Sequence, residues 1–87
     1  MASVNRAEQL KLIHRDAPLA LNRVVAMMTL YRDDILANAA ARVDAGYDLY
    51  GTDGWRKTPH ELDQDTIEEL ADAVAYQVMR RHRQRHP

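Results

Sequence analysis

Three groups of residues in this chain have the types and spacing to do chemistry. Tyr47, Tyr50, Trp55, Arg56 and Lys57 gather aromatic rings and cations around one glycine-containing stretch. Rings of this kind can stack on a base, and a guanidinium can hold a phosphate through paired hydrogen bonds, so the cluster suits a nucleotide-like anionic ligand. The competing reading is that Trp55 and the tyrosines close the open end of a helical core while Arg56 and Lys57 stay solvated. Asp65, Glu68, Glu69 and Asp72 form a second group, recurring at three- and four-residue intervals that share one side of a helix. Tyr76 and Met79 continue that acidic column. A purely solvated face would not call for a tyrosine and a methionine, and an ordinary core would not hold four carboxylates. A helix buried along one side and partly covered on the other, by a ligand or a second subunit, accommodates both. The simpler account is electrostatic: acids early in a helix and arginines late in it each complement the helix dipole by about 0.3–1 kcal/mol. His82 and His86 are one turn apart, but a metal held there would sit among arginines that repel it. Ser3 is the only serine and cysteine is absent, which leaves almost nothing for a nucleophile-based triad.

The elements that position these groups read as helices throughout. Thr58, Pro59 and Glu61 spell a capping box with proline in the first turn, starting a helix over about 59–84. Asp65 with Glu68 repeats the spacing, so a short turn followed by a later start is an alternative. On this helix Ile67, Leu70, Ala71, Val74 and Val78 fall on one narrow stripe. Near the N-terminus, Asn5 and Glu8 cap a short helix over about 5–14, with Ala7, Leu10 and Ile13 inward. Asp16 with Pro18 reads as a fresh start. A long helix over about 17–45 follows, its seam formed by Leu21, Val24, Met28, Tyr31, Ile35, Ala39 and Val43. Leu19, Met27 and Leu30 lie off that seam, so more than one side is apolar. Residues 46–57 read as a loop, with Gly51 a stronger stop than Gly46 and Asp53-Gly54 a turn.

Size and charge narrow the classes. Eighty-seven residues make one domain near the size at which chains often gain stability by oligomerising. The formal net charge of -1 argues against a protein that grips nucleic acid by broad attraction. Arg80, Arg81, Arg83 and Arg85 form a local basic end, a pattern that more often finishes a helix than reads DNA. No apolar run approaches the ~18 residues of a membrane span and no secretory leader pattern is present, so the expected location is the cytoplasm.

The segment YGTDGWRKTPHELDQDTIEELADAVAY resembles short phage and actinobacterial proteins that share a YG, W, EELADA, Y progression. It is also similar to part of the MazG-like, all-α nucleoside triphosphate pyrophosphohydrolase pattern. Members of that superfamily hold magnesium against a triphosphate with an EExxE motif on one helix and an ExxD motif on a later one. Glu69 and Asp72 match the ExxD half, with Glu68 adjacent, while Asp33 and Asp34 offer acids on the long helix without the EExxE spacing. By resemblance, then, Glu68, Glu69 and Asp72 helped by Asp33 or Asp34 would be the magnesium ligands. Losing half the set would cripple hydrolysis before binding need vanish.

The sequence therefore predicts an all-α protein: a short N-terminal helix and an antiparallel hairpin of two long helices, assembling as a dimeric four-helix bundle or higher oligomer. The expected role is a non-catalytic, self-associating binding protein of phage type that needs no cofactor and takes a nucleotide-like anion at the Trp55 loop. A magnesium-dependent pyrophosphohydrolase is the alternative, and a structural or host-protein interaction module is the third.

Overall fold

The structure, a computed structural model, describes residues 4–87, and Ser3 lies outside them. Its regular elements are all helical, with no strand among the described residues: α1 Arg6–Leu30, α2 Arg32–Tyr50, a single 3-10 turn Asp53–Arg56, and α3 Pro59–Arg85.

Helix α1 begins where its cap predicts. The Asn5 side chain accepts from the Glu8 amide at 2.9 Å and donates back to the Glu8 carboxylate at 3.0 Å. It then runs through Asp16 and Pro18 without interruption, so the expected break between a short helix ending near 14 and a long one starting near 17 does not exist. An interior proline costs a helix about 3 kcal/mol through its missing donor and ring clash. The penalty is offset because the turns on both sides of Pro18 pack on the same neighbour, with Asp16, Ala20 and Val24 all buried.

The real break falls at Tyr31 (φ -111°, ψ 26°), inside the stretch whose spacing predicts one helix over 17–45. No glycine or proline marks it. The Tyr31 amide still donates to the Met27 carbonyl at 2.8 Å, and the Ile35 amide to the Tyr31 carbonyl at 2.9 Å. The chain thus bends at one residue without forming a loop. Asp33 and Asp34 stand in the first turn of α2, where negative charge complements a newly exposed helix N-terminus. Helix α2 continues past Gly46 to Tyr50 and stops at Gly51, whose φ of 57° suits glycine and whose amide caps the Tyr47 carbonyl at 2.8 Å. The expected loop over 46–57 is shortened accordingly, and Tyr47 and Tyr50 are helical.

Helix α3 has the predicted capping box: the Glu61 amide donates to Thr58 Oγ1 at 3.1 Å, and the Thr58 amide to Glu61 Oε1 at 3.2 Å. It is one helix, without a second start at Asp65.

Packing is concentrated between α1 and α3. Arg23 Nε donates to Gln77 Oε1 at 2.9 Å, and Asp16 lies in the field of Arg81 and Arg85, so the two helices run antiparallel. The buried apolar set is Ala20, Val24 and Val78. Of the seam expected on the long helix only Val24 is buried, while Leu21, Met28, Tyr31, Ile35 and Val43 are exposed. The occupied seam follows the i, i+4 row through Asp16, Ala20 and Val24, and the bend at Tyr31 carries α2 off that line. Helix α2 buries no residue. On α3, Val78 is fully covered and Val74 half-covered, but Ile67 and Leu70, nearer its start, are open.

If this seam carries the fold, Val78→Ala lowers the unfolding free energy by about 2 kcal/mol through lost burial and the cavity left behind. Lys11→Ala, at an exposed site of α1, stays within about 0.5 kcal/mol. Denaturant titration of both variants checks this, and equal losses would contradict the seam.

Candidate functional site

The residues of the expected loop cluster sit on two elements. Tyr47 and Tyr50 occupy the last turn of α2, three residues apart and hence neighbours on its surface. Trp55 and Arg56 belong to the 3-10 turn, which is tied by the Trp55 amide donating to the Thr52 carbonyl at 3.0 Å and the Lys57 amide to the Gly54 carbonyl at 3.3 Å. Trp55 is 79% exposed, and both tyrosines and Arg56 are open to solvent. The reading in which Trp55 and the tyrosines close the core is therefore corrected: within one chain they close nothing, because the interior lies at the other end of α3. Lys57 donates from its ammonium to Asp65 Oδ2, in the second turn of α3. That hydrogen bond, followed by the charges of Asp65, Glu61 and Glu68, holds the lysine above its ordinary value. Much of its charge is matched locally, leaving Arg56 as the cation of this cluster better placed to meet an incoming anion.

The acidic groups are distributed differently. Asp33 and Asp34 rim a shallow hollow at the α1–α2 bend, with Thr29, Leu30, Tyr31 and Arg32, and Asp33 accepts from Arg32 Nη1 at 3.2 Å. Glu68, Glu69 and Asp72 stand exposed on α3. Among the described residues no three His, Asp or Glu side chains gather as a cation site. The five carboxylates named for the magnesium reading are thus not brought into one constellation within a chain. His82 and His86 stack with ring centroids 4.6 Å apart and planes tilted by 36°.

Two features escape a reading by spacing. The first is Asp16, which is buried at 4% exposure and bound side-on by its neighbour: Arg15 Nε donates to Oδ1 at 2.9 Å and Nη2 to Oδ2 at 3.0 Å. The Arg15 hydrogen bond holds the Asp16 carboxyl below the usual range, against the desolvation that pushes it up, with smaller help from Arg81 and Arg85. Arg81 Nε, buried in the same seam, has no hydrogen-bond partner. The second is an apolar trough of about 370 Å³ where the three helices meet, lined by Val24, Met27, Met28, Ile35, Leu70, Ala73, Tyr76 and Gln77. The surplus of apolar residues off the long-helix seam was its only sequence signal. No helix among the described residues is long and apolar enough to cross a membrane.

Comparison with known proteins finds no matching family model, no matching curated protein and no matching solved structure.

Because Asp16 titrates lower when folded than unfolded, its stabilising contribution is present above the ordinary carboxylate value of about 4 and is lost as pH falls through its own lower value. Wild-type stability therefore falls below about pH 4 partly through this group. Asp16→Asn flattens that limb in melting curves recorded as a function of pH, and an unchanged acid limb would show that the Arg15 pairing adds nothing.

Proposed function

We propose that this protein is a non-catalytic, self-associating helical binding module that presents the Trp55 loop to a nucleotide-like anion. The supporting observation is the mismatch between its surface and its size. A compact 10.0 kDa monomer exposes about 5200 Å², whereas this chain exposes 7579 Å², an excess of roughly 2300 Å². Its radius of gyration is 16.0 Å against about 12 Å for a compact chain of this length. Stable protein interfaces take about 800 Å² from each partner, and obligate ones more, so the excess is the amount an obligate oligomer covers. Much of the open surface is apolar, including Leu19, Leu30, Leu36, Leu49, Ile67 and Met79. Exposed apolar area of this extent marks an association surface.

Self-association also gives the loop its context. Once copies cover the apolar faces of α2 and α3, Trp55 and Arg56 become the rim of a larger body, where an aromatic plane and a guanidinium can clasp the base and phosphate of one ligand. Lys57 engages Asp65 of α3, which leaves Arg56 as the cation offered to the ligand.

The purified chain is expected to sediment as a multiple of 10.0 kDa, with a melting temperature that rises with protein concentration. A well-folded monomer throughout the micromolar range overturns the reading. For the ligand half, Trp55 is the only tryptophan, so its emission reports stacking directly. Nucleoside mono-, di- and triphosphates are expected to quench it, and Arg56→Ala to weaken the phosphate dependence. Absence of quenching and of heat by calorimetry across the panel removes the nucleotide and leaves a protein-binding role.

A further inference from the structure

Resting on the self-association reading, we propose that the outer face of α3 is a self-complementary seam on which a second copy docks antiparallel, with the two-fold axis passing through Tyr76. The charges of α3 are divided along its length: every acid precedes Ala73 and every arginine follows Met79. A parallel copy would set acids on acids and arginines on arginines. An antiparallel copy brings the arginine-bearing end against the acids nearest it, Asp72 and Glu69.

The register follows from counting outward from Tyr76, which is 66% exposed although it lies well inside the 27-residue α3. A two-fold axis at position 76 brings residue 76 + k opposite residue 76 − k of the second copy. Four steps on each side are Asp72 and Arg80, so Asp72 meets Arg80 of the partner subunit, twice by symmetry. Seven steps are Glu69 and Arg83, again acid and base. Three steps are Ala73 and Met79, a small residue against a long flexible one. Offsets of three, four and seven are those that return to one face of a helix, so these positions share a single stripe with Tyr76. All of them except half-buried Ala73 are exposed. Arg80 at present only reaches its own Gln84, at 3.3 Å, a neutral contact that an aspartate displaces readily.

The same docking covers apolar surface. Tyr76 and Ala73 form one wall of the trough that also holds Val24, Met28, Ile35 and Leu70, so a copy laid along α3 roofs it. An interface with an aromatic centre, an apolar surround and charged pairs at its ends has the layout of isologous contacts in general.

The chain contains no cysteine, which makes a cross-linking test clean. Helix axes about 10 Å apart, with Cα atoms ~2.3 Å off each axis, place facing Cα atoms about 5–6 Å apart at the two-fold, within disulfide reach. Tyr76→Cys is therefore expected to give a covalent dimer under mild oxidation, whereas Lys11→Cys on α1 does not. In sedimentation equilibrium Asp72→Arg and Arg80→Asp are each expected to weaken self-association about tenfold at low salt, since each places like charges opposite one another twice. The double variant, Asp72→Arg with Arg80→Asp, restores it. Helix content by circular dichroism should not change, because these side chains are exposed. If the wild type self-associates while Tyr76→Cys stays uncross-linked and the charge variants bind as before, the seam is wrong and association uses another face. A monomeric wild type overturns the seam together with the reading beneath it.

Discussion

The contact between α1 and α3, where Ala20, Val24 and Val78 lose nearly all exposure to water, is what the remaining structure depends on. It is a short seam for two helices of 25 and 27 residues. Helices of that length gain most of their stability from packing rather than from propensity, so the parts of α1 and α3 beyond the seam, and the whole of α2, are organised without being enclosed. Well-formed helices carrying an unusually large open surface are the direct consequence. A sequence rich in apolar residues on several helix sides folds locally here and leaves many of them, such as Leu30, Leu49 and Ile67, open to solvent within one chain.

Polar groups specify the seam as much as apolar ones do. Asp16 is carried into the contact by its position on the Ala20–Val24 row, and Arg15 accompanies it as a side-on partner. Burying a carboxylate is expensive unless it is paired and hydrogen-bonded. The Arg15 fork answers that cost, and Arg81 and Arg85 add their charge from the facing helix. The arrangement favours the antiparallel register, because sliding α3 would take its basic end away from Asp16. Asp33 and Asp34, which resemblance would enlist for magnesium, instead stand in the first turn of α2, where a bend at Tyr31 exposes a fresh helix N-terminus.

The Trp55 cluster and the α3 charge pattern occupy different parts of the molecule. The cluster is local, drawn from a helix end and a 3-10 turn that ends nine residues before Asp65, and it offers rings and an exposed guanidinium. The outer side of α3 is extended, acidic over its first half and arginine-rich at its end. The acidic column that continues into Tyr76 and Met79 stands on the same helix as the arginine-rich end, with the charge changing sign between Asp72 and Arg80.

Local chemistry determined much of this protein through its sequence alone. The Asn5 and Thr58 caps, the Gly51 stop and the helical class all follow from short-range interactions that a few neighbouring residues settle. Tertiary structure decided which apolar rows are used. Spacing picks out Leu21, Val24 and Met28 as readily as Asp16, Ala20 and Val24, because a helix apolar on several sides has several equivalent stripes and only the approach of α3 selects one. It also decided that α1 runs through Pro18 and bends at Tyr31. A proline's cost is fixed locally, but whether it is offset depends on contacts made by turns on either side, and those come from residues more than fifty positions away.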